Sequence, residues 1–436
     1  MRLIRLLKKD LAKEIASWVD KDLISTDQAK SICRLYGIDF DSIQDQSGGY
    51  RLLVSLGYLF LGLSVVTLLS ANWDEIPRGL RMAGLLALTM VTHGFALKYF
   101  FASRESFANG LFLLGNLFYG ASIILIAQIY HLGEHMPDGV FWWALGTLPF
   151  GLLLQNSRLM LFSCLLALLW FFLEYSMGFA ATYFPLFIAA ATYVLIKGKP
   201  STLLFLATVA SVGLWVEASL AAVWAGERHG LDLHAEHVFV SAALFIFAYA
   251  FSCWLHSRNS SKAKDYGVLL SLWTLRFGLI VMLIFSYEEP WKELVGADWD
   301  HRLSMWQIVS VLLGGSLWLG WKTTSLQTIV PISVFFGMSM IAVALSQDPT
   351  NAVIFQVAYN IALVGLAIWL IVRGFQSGVS HYFYLGVATI LLTAFMRYVD
   401  LIGEYVGGAI LFMVFAILLL AAARYWKMHQ NAEKRS

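Results

Sequence analysis

Residues 108–130 read ANGLFLLGNLFYGASIILIAQIY, and this stretch decides the fold. No charged residue interrupts it. A membrane-spanning helix needs about 20 predominantly apolar residues, and this run meets that length. Runs of the same kind fill most of the chain. From Arg51 onward, apolar segments alternate with short polar breaks at roughly 51–71, 81–100, 108–130, 139–155, 158–175, 178–197, 201–224, 237–256, 266–287, 305–322, 326–346, 351–373, 380–397 and 406–425, about fourteen in all. The run 139–155 is short and contains Pro149.

Composition agrees. The 436 residues are 59% hydrophobic and 13% charged, with a mean hydropathy of +0.70. Soluble chains carry about 25% charge, so a water-soluble core cannot hide this much apolar surface. The net charge of +2 gives no basic surface for nucleic acid. The expected fold is an all-α, polytopic integral membrane helix bundle of about 14 transmembrane helices. A small N-terminal cytoplasmic module and linker (1–48) precedes the transmembrane domain (49–436).

The first residues differ from the rest. Ile4, Leu7, Leu11, Ile15 and Trp18 recur at helical spacing among charged residues, as in an amphipathic helix. Ser25 and Gln28 have the spacing of a capping box, in which each side chain bonds the other's backbone N–H. Ala29, Ile32 and Leu35 continue the apolar stripe, and Gly37 is a natural stop. The N-terminus lacks the apolar core of a cleavable signal. The three cysteines, Cys33, Cys164 and Cys253, form no C-x-x-C pair and read as small buried residues.

Orientation follows from charge. With the N-terminus inside, the even-numbered breaks carry Lys98, Arg104, Arg158, Lys197, Lys199, Arg258, Lys262, Lys264, Lys322 and Arg373, and the C-terminal tail adds more. The odd-numbered breaks hold fewer basic residues and nearly all the loop acids. Basic residues collect on the cytoplasmic side of membranes, so both termini are expected in the cytoplasm of a bacterial inner membrane.

The segments WVDKDLISTDQAKSICRLYG (18–37), LGLSVVTLLSANWDEIP (61–77), GASIILIAQIYHL (120–132) and FWWALGTLPFGLLL (141–154) resemble the bacterial membrane family called domain of unknown function 2157. That resemblance covers roughly residues 10 to 155. YNIALVGLAIWLIVRGFQSG (359–378) and YLGVATILLTAFMRYVD (384–400) resemble the C-terminal membrane part seen in such proteins. The resemblance implies a polytopic bacterial membrane protein with no assigned reaction. It also implies, as partner, a second membrane protein of the GDYXXLXY type. It includes the Gln-Ile-Tyr-His segment but does not extend to His135.

Several residues invite a chemical reading. His131, Glu134 and His135 fit H-x-x-E-H, a spacing that places two zinc ligands one helical turn apart. Gly133 and Pro137 interrupt the continuous helix this geometry needs, so the stretch reads as a turn. His229, His234 and His237 lie in a second break on the same expected side, and the six residues form a candidate metal-binding face.

Inside the runs, burying charge in lipid is costly and marks structural or functional sites. Arg276 lies mid-run and Glu217 nearer the end of its own, so an Arg276–Glu217 pair or shared polar cavity is expected. His93, Asn116 and Asn360 can hydrogen-bond between helices. At the outer ends, Asp74 and Glu75 sit at the first hairpin, and Arg397 and Asp400 are spaced for an i, i+3 pair.

No P-loop, G-x-S-x-G elbow or haem-attachment motif is present. No cofactor is implied, and catalysis is not the expected role. Two classes remain. The first expectation is a transporter or lipid flippase not driven by ATP. The other is a non-catalytic complex subunit, scaffold or sensor, with membrane lipids and the second membrane protein as partners.

Overall fold

The computed structural model describes residues 14–15, 18–19, 21–35, 56–57, 60–61, 64, 67, 77–131, 135–226, 234–346, 348–377, 380–400 and 413. Every regular element among them is helical. In chain order they are α1 (Thr26–Leu35), α2 (Arg78–Phe101), α3 (Glu105–Tyr130), α4 (Pro137–Leu153), α5 (Ser157–Ser176), α6 (Phe184–Lys197) and α7 (Thr202–Trp224). There follow α8 (Glu236–Ser257), α9 (Ser261–Ile284), α10 (Glu289–Gly296), α11 (Arg302–Thr323), α12 (Leu326–Leu345), α13 (Ala352–Ser377) and α14 (Ser380–Asp400), with a 3-10 turn at Pro349–Asn351. Two compact units divide the chain. One comprises Met1–Leu233 and Arg258–Tyr266, the other His234–Ser257 and Gly267–Ser436.

Nine helices among the described residues are long and apolar enough to cross a membrane: α2, α3, α5, α7, α8, α9, α11, α12 and α13. The chain is therefore a membrane-embedded, all-helical, polytopic protein. The run 380–397 is helical as α14. The runs 51–71 and 406–425 lie largely outside the described residues. So do the first helix of the N-terminal module before residue 14, Gly37 and the expected boundary at 48–49.

One run is shorter as a helix than its apolarity suggests. The sequence reading extends from 178 to 197, but α6 starts at Phe184 and has 14 residues. At about 1.5 Å per residue that is about 21 Å, short of a hydrocarbon core of about 30 Å. Gly178, with φ +84°, makes the preceding turn, and Pro185 sits in the first turn of α6, where its missing N–H costs nothing. The short α4 keeps Pro149 inside it. One element is unanticipated: α10 is an eight-residue helix that buries Trp291. The indole N–H donates to the Phe285 carbonyl at 2.6 Å, and its ring stacks on Phe355.

The N-terminal capping box is present. The Ser25 N–H donates to Gln28 Oε1 at 2.9 Å, and the Gln28 N–H donates to Ser25 Oγ at 3.3 Å. Behind this cap, Ile15, Ala29 and Cys33 are buried together against Trp18 and Ile24. Burial pushes the Cys33 thiol above its usual range, which keeps it in the less nucleophilic form.

Breaks of equal parity meet. In the first unit Lys199 pairs with Glu105 at 3.0 Å, and Ser157 Oγ donates to the Lys199 carbonyl at 2.7 Å. Lys262 caps the C-terminus of α6, donating to the carbonyls of Leu195, Ile196 and Gly198. A cation there offsets the negative end of the helix dipole. These residues belong to the second, fourth, sixth and eighth breaks. In the second unit the seventh break meets the ninth through Glu236 and His301.

Glycines set the closest helix approaches. A Cβ on Gly374 of α13 would fall 2.4 Å from the backbone nitrogen of Phe383 in α14, whereas one on Gly365 would meet nothing. Gly374→Ala should therefore destabilise the protein by about 1–3 kcal/mol, the usual cost of overpacking. Gly365→Ala should cause no loss. Thermal unfolding of both variants in detergent micelles checks this, and equal melting temperatures would refute the close contact.

Candidate functional site

The polar residues expected inside the membrane form two seams between helices. In the first, His93 of α2 places Nδ1 2.9 Å from the Thr89 carbonyl and Nε2 3.1 Å from Asn116 Oδ1 of α3. A carbonyl only accepts, so Nδ1 carries the proton and Nε2 is an acceptor. The buried Asn116 Nδ2 has no hydrogen-bond partner among the described residues. Exchanging the Asn116 amide oxygen and nitrogen, an assignment that the hydrogen-bond network decides, presents the NH₂ to Nε2 and satisfies both groups.

Phe150 stacks on the imidazole at 4.5 Å. The Trp143 indole of α4 donates to the Asn116 carbonyl at 2.8 Å. Gly115 and Gly120 make room, since a Cβ would lie 2.7 Å from the His93 ring and 2.1 Å from the Trp143 ring respectively.

The second seam centres on Ser286, just past the end of α9. Asn360 Nδ2 donates to the Ser286 carbonyl and to the Gln356 carbonyl, both at 2.8 Å. Arg397 of α14 donates to Ser286 Oγ at 3.2 Å, and its guanidinium lies over the Tyr287 ring at 4.5 Å. Two candidates that the sequence placed in separate groups thus share one serine. Ser286 is fully buried and carried no signal of its own.

The histidine-rich stretch is a turn. α3 ends at Tyr130, and His131 caps it in the left-handed conformation with φ 51°. α4 begins at Pro137, so His131 and His135 do not share a helix. Instead His135 Nε2 lies 2.8 Å from Glu174 Oε2, near the end of α5. The Trp170 indole donates to the other carboxylate oxygen, also at 2.8 Å. Asp138, in the first turn of α4, completes a group whose ligand atoms all lie within 4.8 Å of one another. Sequence reasoning missed Glu174 and Asp138. The available signal was a carboxylate in the last turn of the run LLALLWFFLEY.

In the second unit, His234 and His301 meet edge to face at 5.2 Å. The buried Glu236 accepts the His301 backbone N–H at 2.9 Å, and His237 is buried beside it in α8. Glu134, His229, Asp74 and Glu75 lie outside the described residues, as does the side chain of Asp400. Arg276 lies over the ring of Trp273, its neighbour on α9, at 5.3 Å. Glu217 belongs to the first unit and Arg276 to the second, and their pairing remains an expectation.

The segment holding the first seam matches a family model. Residues 16–161 match the family described as "Predicted membrane protein (DUF2157)". No curated protein and no solved structure matches the chain. The DUF2157 segment contains His93, Asn116, Trp143, His135 and Asp138. Glu174, Asn360 and Arg397 lie beyond it, so the His135 turn is completed by a residue from outside the matched region.

Asn360→Leu removes the bond that ties α13 to the end of α9. The loss should cost about 1 kcal/mol. Denaturant unfolding in micelles measures it, and an unchanged midpoint would remove Asn360 from the set of structural pins.

Proposed function

We propose that this protein is a non-catalytic membrane subunit or sensor that works with a second membrane protein, rather than a conduit. One observation carries this reading. The polar side chains inside the helices have partners on their own and on neighbouring elements: His93 bonds Thr89 of its own helix and Asn116 of α3, and Asn360 bonds Gln356 of its own helix and Ser286 just past α9. Groups engaged in this way lock helices together and offer little capacity to a passing solute. The family resemblance supplies the kind of partner, and the capped N-terminal module offers a docking element outside the membrane.

Passage of a solute or lipid without ATP is the second reading. It is favoured by Arg276, a half-buried cation midway along the apolar α9, because charge inside a membrane marks substrate paths as well as structural pins. A substrate with an anionic group would suit it.

Two assays on the intact chain separate these readings. Purification from native membrane in mild detergent should yield one membrane partner at constant stoichiometry. Proteoliposomes of the isolated chain should fail to move a fluorescent lipid between leaflets in a dithionite-quench assay. Partner-free protein that scrambles lipid, with the activity lost in Arg276→Ala, would overturn the subunit reading.

A further inference from the structure

We propose that His135, Asp138 and Glu174 form a binding site for one divalent transition cation, zinc being the natural probe. The site is independent of the subunit reading. Its ligands are one imidazole nitrogen and two carboxylates, a donor set that suits zinc and its neighbours. All three ligand atoms already lie within 4.8 Å of one another. Bonds of about 2.0–2.2 Å to a tetrahedral cation put its ligand atoms roughly 3.4 Å apart, so the 2.8 Å His135–Glu174 contact opens to admit the ion while Asp138 makes the closing movement. Asp138 is exposed and free to make it.

The chemistry of Glu174 is the second support. Its side chain is 9% exposed, and a buried carboxylate calls for a compensating charge. The Trp170 indole satisfies Oε1 and aims Oε2 at His135 Nε2. The imidazole and the Phe179 ring meet in a T-shaped arrangement, their centroids 4.8 Å apart, which helps hold the imidazole's orientation. This is how outer groups orient metal ligands. Asp138 then brings a second negative charge to the same point. Two carboxylates this close repel, and a divalent cation between them removes that cost. Asp138 faces solvent, so an entry path and a position for water remain. The competing account is a plain His135–Glu174 pair with Asp138 solvated, and it predicts no binding.

The test uses the full chain in detergent micelles, stripped with EDTA and titrated with Zn²⁺ at constant pH. One equivalent should bind. Asp138→Asn and Glu174→Gln should each weaken binding at least about tenfold, since even an outer-shell loss costs metal affinity 10–100-fold. His131→Ala and His234→Ala should leave it unchanged. With Co²⁺ in place of Zn²⁺, visible absorption should appear and should change in His135→Gln, which reports the nitrogen ligand. If Glu174→Gln fails to fold, the exposed Asp138→Asn decides alone. No binding by the wild-type chain, or binding unaffected by Asp138→Asn, would overturn the proposal.

Discussion

A polar side chain inside hydrocarbon has no water to bond, and the rest of this fold is arranged around that constraint. Each such group must find its partner on its own or a neighbouring helix, at hydrogen-bond distance. Helices must then approach closely, which large side chains forbid. The glycines at 115 and 120 stand where a Cβ would strike His93 and Trp143. Those are the two side chains that reach from α2 and α4 to bond Asn116. The polar group and the glycine are two halves of one device. In the second unit, Ser286 collects bonds from Asn360 and Arg397.

The fold was legible because lipid imposes a simple code. Charge-free runs of sufficient length predict helices wherever they occur, and α3 follows its run closely. The code fails where backbone chemistry intervenes. Residues 178–183 are apolar enough for a helix, yet Gly178 and Pro185 set a turn and the start of α6 instead. It also fails for short elements: α10 has too few residues to stand out by periodicity, and its place depends on Trp291 packing against Phe355 and Tyr359. The capping box was readable because both of its partners lie within one helical turn.

The candidate site was legible in part. His93, Asn116, Asn360 and Arg397 announce themselves as polar groups in or beside apolar runs. What no local pattern shows is their pairing. Asn360 and Ser286 are 74 residues apart, and Arg397 and Ser286 are 111 apart. The histidine motif drew attention to the right loop for the wrong reason. Gly133 and Pro137 argued correctly that HLGEH is no helix, and the partner of His135 proved to be Glu174, 39 residues on. A carboxylate near the end of an apolar run, four residues after a tryptophan, is the one local sign that it was there.

The central claim is that the polar groups within the membrane hold helices together. The His93–Asn116 contact tests it most directly, through a double-mutant cycle of His93→Phe, Asn116→Leu and the pair, read by denaturant unfolding of the intact protein in micelles. The account predicts a coupling of about 1 kcal/mol, within the range for interhelical hydrogen bonds in membranes. Single-variant effects that simply add, to within about 0.3 kcal/mol, would contradict it.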